Sequence, residues 1–166
     1  MNAPANTISL AQRLTSAPLP RDPREARSRL DAWLDTLAAA PSSRLRAHLR
    51  SEQVRALTEG IASGSPYLWR LIEADPDRFL RLLDADPAAT MDAISARLAT
   101  LGTCDDVDQA MRGLRLAKQE AALVIALADL GGLWDAGEVT YALSRFADDV
   151  VRSALAFLLR EADAAG

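Results

Sequence analysis

The stretch from Asp105 to Ala164 holds two long helical patterns that are apolar where a surface helix is polar, and this constrains the fold more than any other feature of the chain. In the first, AMRGLRLAKQEAALVIALADLGG, Met111, Leu114 and Ala117 recur at helical spacing beside charged residues. From Ala121 to Ala128 the same helix becomes apolar on every side. A helix apolar all round is buried over most of its circumference, so Ala126, inside this run, is expected to be buried. Gly131-Gly132 closes the helix with residues that tolerate a left-handed backbone, and Asp135 with Glu138 three residues on restarts the chain as a capping box. The second helix places Val139, Leu143, Phe146, Val150, Ala154, Phe157 and Leu158 on one stripe. Two such helices joined by a short turn bury their stripes by packing antiparallel.

Proline marks the other helix starts. Asp22-Pro23, Ser65-Pro66, Asp75-Pro76 and Asp86-Pro87 each offer a capping oxygen followed by a residue whose fixed φ and missing N–H suit the first helical position. The spacing predicts helices from Pro23 to about Ala40, Pro66 to Ala74, Pro76 to Leu83, and Pro87 to Leu101, the last closed by Gly102. Ser42 to Ser63 reads as one helix or two, with a break near Ser51. Met1 to Pro20 holds one short amphipathic piece, Ile8 to Leu14, with too little apolar surface to fold unless it docks. Residues 1–21 are therefore set apart as a poorly ordered or docking segment, and residues 22–166 as a helical bundle. The start prolines recur too closely for a solenoid, whose repeats need about thirty residues or more. With 49% hydrophobic and 25% charged residues, eight glycines and no strand-like alternation, the chain is predicted to be all-α: a multi-helix bundle of about seven or eight helices ending in two long antiparallel ones.

Charge and cysteine narrow the function classes. The formal charge is −4, and the acidic excess lies beyond residue 60, which argues against nucleic-acid binding by the main body. All basic residues but Lys118 are arginine, a bias that a GC-rich coding genome explains without special arginine chemistry. Cys104 is the single cysteine, so no disulfide framework or cysteine zinc site forms within one chain, and a reducing, cytoplasmic setting is expected. The amino terminus lacks a secretory pattern, and the longest apolar stretch, AALVIALA, is about half of a membrane span. A soluble protein without membrane or nucleic-acid partners is expected.

Few residues invite a chemical reading. Gly64-Ser65 followed by Asp75-Pro76-Asp77 imitates a nucleotidyltransferase pattern, in which a turn holds phosphate oxygens and two carboxylates hold metal ions. Pro76 makes Asp75 a cap and Asp77 a first-turn residue rather than neighbours on one strand face, so the match is read as chance, and Asp84/Asp86 and Asp106/Asp108 fall to the same objection. The cluster Cys104, Asp105, Asp106, Asp108 is read as acids favoured by a helix dipole. His48, the only histidine, lacks a nucleophile partner and is expected on a helix edge beside Arg44 or Glu52. Trp33, Trp69 and Trp134 fit packing positions. The polar half of the penultimate helix, with Arg112, Arg115, Lys118 and Glu120, is either a solvated face or a contact surface.

The segment from Gly60 through IASGSPYLWRLIEADPDRFLRLLDADP, followed by AMRGLRLAKQEAALVIALADLGGLWDAGEVTYALSRFADDVVRSALAFLLREA, resembles the amino-terminal helical region of the bifunctional glutamine-synthetase adenylyltransferase and deadenylylase family. In that family Ser-Pro and Asp-Pro helix starts precede a Met-Arg-x-Leu-Arg helix and a further helix, and a nucleotidyltransferase segment with Gly-Gly and Asp-x-Asp elements comes after. The resemblance spans roughly residues 51 to 163 and leaves out the first fifty. It departs at Val124 and Ala128, in a helix where many members carry more arginines. What it implies is the amino-terminal lobe of an enzyme that transfers an adenylyl group to and from a tyrosine of glutamine synthetase, removing it by phosphorolysis under a PII-type nitrogen signal. The implied cofactors of that parent enzyme are magnesium with ATP, ADP or phosphate. The catalytic elements are expected just beyond Gly166, so no catalytic, cofactor or metal residue is assigned within the chain, which alone is expected to be inactive. Arg112, Arg115, Lys118 and Glu120 then become candidate contacts to the downstream nucleotidyltransferase domain, a phosphate or the adenylylated substrate. The rival expectation is a free-standing helical interaction module whose apolar groove receives a partner helix.

Overall fold

The structure is a computed structural model in which residues 8–104 and 106–165 are described. Among them the chain forms nine helices and no strand: α1 (Leu10–Arg13), α2 (Pro23–Thr36), α3 (Ala39–His48), α4 (Glu52–Gly64), α5 (Pro66–Ala74), α6 (Pro76–Asp84), α7 (Pro87–Leu101), α8 (Val107–Leu130) and α9 (Ala136–Ala165). The chain is all-α, as its 3.6-residue periodicity predicts. The expected start signals are all in use. Asp22 accepts from the backbone N–H of Arg24 and Glu25 at 2.9 and 3.1 Å, Ser65 from Leu68 at 3.3 Å, Asp75 from Arg78 at 2.8 Å and Asp86 from Ala89 at 3.0 Å. The capping box of α9 is complete, with Glu138 N–H to Asp135 and Asp135 N–H to the Glu138 carboxylate, both at 2.8 Å.

Two expected boundaries shift, the end of α2 and the start of α3, while the single turn α1 raises the helix count above the expected seven or eight. The helix from Pro23 stops at Thr36 instead of running to about Ala40, with Leu37 extended at φ −80 and ψ 151. Pro41 explains the break, because its ring would collide with the carbonyl of Leu37 if the helix continued through it. In the first turn of a new helix its missing N–H costs nothing, and α3 accordingly begins at Ala39. The chain then breaks again near Ser51, whose side chain caps α4 at Val54.

The core gathers around Trp69, which is fully buried. Trp33 meets it edge-on, with ring centroids 5.3 Å apart and planes at 71°, and the Arg29 guanidinium sits 5.5 Å from the Trp69 ring centre. These are packing roles, as expected, and Trp134 also lies against the core. Leu10 and Leu14 of the amino-terminal segment belong to the same core. That segment runs across the bundle: Leu10 N–H bonds to Ala85 O at 2.8 Å, Thr15 N–H to Gly131 O at 2.9 Å, and Arg21 N–H to the Ser63 hydroxyl at 3.0 Å. Pro18 lies so close to α4 that a Cβ on Gly60 would stand 2.2 Å from its carbonyl oxygen. Residues 1–7 lie outside the described residues.

Helices α8 and α9 are antiparallel. Gly132, at φ +71, reverses the chain after α8, and Arg160 near the end of α9 donates to Cys104 O just before α8 begins. Both pack more extensively on α7 than on each other. A Cβ on Gly102 would lie 3.0 Å from that of Ala156, so the missing side chain sets how closely the end of α7 approaches α9. Two expectations for this pair are corrected. Ala126 and Ala122 are only half-buried, because they form a narrow strip facing outward from a run whose other members are buried. In α9, Val139, Phe146, Val150 and Phe157 of the expected stripe do face the core, but Leu143 and Leu158 are exposed instead of inward, and Ala142 and Ser153 are buried in addition. Hydrogen bonds to α7 fix this rotation of α9: Arg145 to Asp92 at 2.7 Å and Ser95 to Asp149 at 2.6 Å.

Candidate functional site

The four polar residues singled out on α8 do not form one site. Arg112 is exposed and pairs with Asp106 at 3.7 Å, at the start of its own helix. Arg115 donates to the backbone carbonyl of Met111 at 3.3 Å, and Lys118 is exposed. Glu120 turns away from these three. It pairs with Arg97 of α7 and is largely sheltered by that contact. Helical geometry accounts for the split, since Arg115 and Lys118 are one turn apart on one face whereas Glu120 lies well round the helix from Lys118.

Glu120 and Arg97 belong to a cleft of about 370 Å³ between α6, α7 and α8, which Asp75, Arg78 and Arg81 also line. Arg78 forms its floor. Its guanidinium is buried, donating to Leu71 O at 2.7 Å and to the Gln119 side chain at 3.2 Å, while its Nε has no partner. Leu71 lies in the last turn of α5, where free carbonyls and the negative end of the helix dipole offset a cation. Three arginines face two carboxylates here, which leaves the cleft with a small formal positive excess. Asp75 is occupied as the cap of α6 and Asp77 sits in the first turn, and no strand brings the two onto one face. Among the described residues no three His, Cys, Asp or Glu side chains converge on one point.

His48 sits on a helix edge, as expected, but its partner comes from another helix. Its Nε2 lies 3.0 Å from Asp84 of α6, and Arg44 approaches the same carboxylate at 3.5 Å. Glu52 takes no part. The constellation ties α3 to α6 and holds no nucleophile. Asp106 caps α8 through the N–H of Asp108 at 2.9 Å, and Asp105 of the same acidic cluster lies outside the described residues. Arg145 of α9 donates a 2.7 Å hydrogen bond to Asp92 of α7, which raises the Arg145 pKa above its usual value against the opposing effect of burial, so this pair ties α7 to α9.

The most distinctive surface is on α9, and it includes two residues, Leu143 and Leu158, that the sequence pattern places inward. Leu143, Val151, Leu155, Leu158 and Leu159 of α9 are each more than half exposed. Val151, Leu155 and Leu158 recur every three to four residues, Leu159 adjoins them and Leu143 lies two turns before Val151, so the group lies away from the Ala142, Ser153 and Phe157 side that faces the bundle. The signal was present in the sequence, since α9 carries more apolar positions than one buried stripe requires. Among the described residues no helix is long and apolar enough to cross a membrane.

Comparison with known proteins fits this architecture. A family model described as glutamate-ammonia ligase adenylyltransferase matches residues 54–166. The bifunctional glutamine synthetase adenylyltransferase/adenylyl-removing enzyme of Rhodopseudomonas palustris (strain HaA2) is 40% identical over 168 residues, covering 100% of this chain and 17% of that protein. The namesake enzymes of Bradyrhizobium diazoefficiens and Xanthobacter autotrophicus are 42% and 40% identical, covering 99% and 98% of this chain and 17% and 16% of their own lengths. The family model begins near the expected start at residue 51, whereas the alignments to these relatives extend through the first fifty residues as well. This is consistent with the place of Leu10, Leu30 and Leu45 in the common core. The chain spans about a sixth of the length of these relatives. No solved structure matches it. A match over two thirds of the chain, together with these identities, establishes that the chain belongs to the glutamate-ammonia ligase adenylyltransferase family.

Proposed function

We propose that this chain is the amino-terminal helical lobe of an enzyme that attaches an adenylyl group to glutamine synthetase and removes it, and that it supplies scaffold and contacts while the reacting groups lie elsewhere in the longer protein. The observation that carries the proposal is the 40% identity along the whole chain to a bifunctional glutamine synthetase adenylyltransferase/adenylyl-removing enzyme of which it covers 17%. The disposition of its carboxylates supports the scaffold role. Asp22, Asp75, Asp86 and Asp106 cap helices, and Asp84, Asp92 and Glu120 pair with basic side chains. Two-metal catalysis of phosphoryl-type transfer needs carboxylates converging on ions. In this reading magnesium and the nucleotide or phosphate bind the downstream nucleotidyltransferase domain, glutamine synthetase is the protein substrate, a PII-type protein carries the nitrogen signal, and the setting is the cytoplasm.

The test is phosphate-dependent release of ADP from adenylylated glutamine synthetase in the presence of magnesium. The 166-residue chain is expected to be silent, and a polypeptide extended through the next domain active. Turnover by the short chain that is lost on Asp75→Asn or Asp77→Asn would overturn the scaffold role. An inactive extended protein would overturn the assignment of the reaction.

A further inference from the structure

We infer that the outer face of α9 is the wall on which the following part of the same polypeptide packs, so that α9 is shared between this lobe and the next. The inference rests on the family reading above and adds to it the location of the joint. The polar end of α8 offers less for such a joint, since Arg112 is paired with Asp106 and Glu120 with Arg97. On α9, by contrast, Leu143, Val151, Leu155 and Leu158 form an exposed apolar strip flanked by Leu159. From Val150 to Leu159 the only charged residue is Arg152, which is drawn to Asp149 at 3.1 Å. A helix end with apolar residues on both faces is built to be enclosed from both sides. α7 and α8 enclose only one of them.

The occupant follows from the share of the relatives that this chain represents. The whole chain corresponds to 17% of the Rhodopseudomonas palustris protein and the family match continues to residue 166; with the chain as the amino-terminal lobe proposed above, a long stretch of polypeptide follows α9. A segment tethered to the end of α9 is held beside the strip at a high effective concentration, on the order of millimolar for a short connection, and a separate second copy must compete against that. The exposed apolar residues also gather at the same end. Arg160 Nη1 lies 3.3 Å from Cys104 O, which brings the end of α9 beside the start of α8, where Val107 and Met111 are exposed.

Thiol labelling distinguishes the occupants. In a Cys104→Ser background, Leu155→Cys and Leu158→Cys place single thiols on the strip, and Asp31→Cys on α2 gives an exposed reference site. In the 166-residue chain all three are expected to react with a maleimide at similar rates, at every protein concentration. In the chain extended by its own downstream sequence, the α9 thiols are expected to react at least about tenfold more slowly while Asp31→Cys is unchanged. Equal rates in the two lengths, or a reading frame that stops at Gly166, would overturn the inference. So would a short chain that dimerises with concentration-dependent protection of Leu158→Cys, since the occupant would then be a second copy. Failure of the adenylylation assay alone would sink the proposed function and leave the labelling result standing.

Discussion

The run Ala121–Ala128 in α8 and the run Val150–Leu159 in α9 are both dominated by alanine, valine and leucine, yet six of the first eight residues are buried whereas only Ser153 and Phe157 are buried in the second. The difference lies in what each helix meets. The carboxyl-terminal half of α8 runs through the bundle between α5, α7 and α9, so nearly every direction around it is filled, and the two small residues on its outward strip, Ala122 and Ala126, are all that reach the surface. The carboxyl-terminal half of α9 lies on the outside of α7 and α8 and has neighbours on one side only. An apolar circumference thus states how much surface a helix is built to bury, and the tertiary arrangement states whether this chain supplies the neighbours.

Five substitutions test this difference between the two helices. Val124→Asp puts an unpaired charge at a fully buried position and is expected to cost on the order of 4 kcal/mol in urea unfolding, enough to unfold a marginal domain. Ala126→Asp, two residues away on the half-buried strip, is expected to cost roughly 1 kcal/mol. If the two substitutions cost the same, the α8 run is not asymmetric and the contrast with α9 fails. Gly102→Val comes next, because its Cβ would press on Ala156 and on the Ser153 carbonyl. A loss of about 1–3 kcal/mol is expected, the range for overpacking a tight contact, and an unchanged midpoint would mean that α9 is not held closely against α7.

Asp135→Ala removes one half of the box that starts α9 and is expected to lower stability by about 1 kcal/mol. A much larger loss would show that α9 depends on its own start more than on its packing. The smallest effect is expected for Leu155→Lys, since on this chain the side chain already faces water: a change within about 0.5 kcal/mol by thermal unfolding. A loss above about 2 kcal/mol would place Leu155 in the interior of the short chain and erase the difference between the two runs.

Much of the bundle was legible because its signals are local. A capping side chain reaches only two or three residues, so Asp22, Ser65, Asp75, Asp86 and the Asp135–Glu138 box could be read in place, and each is used. Pro41 is legible in the same way, since the expected helices end at about Ala40 and begin again at Ser42 on either side of it, and only the exact boundaries differ. Its conflict with the carbonyl four residues earlier is as local as a cap, and it splits α2 from α3. The partner of His48 could not be read, because Asp84 is thirty-six positions away and reaches it only when α6 packs beside α3. The candidate contact residues fared similarly. Spacing along α8 told that Arg115 and Lys118 share a face, but only packing against α7 showed Glu120 engaged with Arg97.

By itself, then, the sequence determined the helical class, the helix starts and the apolar content of each helix, because all three depend on interactions within a few residues of chain. Rotation about a helix axis was left to the tertiary structure. Val139, Phe146, Val150 and Phe157 of the expected α9 stripe face the core, but the turn that exposes Leu143 and Leu158 and buries Ala142 and Ser153 was set by contacts from α7: Asp92 on Arg145, Ser95 on Asp149, and the open space at Gly102 beside Ala156. Those contacts join residues more than fifty positions apart. A local pattern carries no information about which of two apolar faces a distant partner will cover, and so the face that α9 leaves exposed emerged only once the bundle had formed around α7.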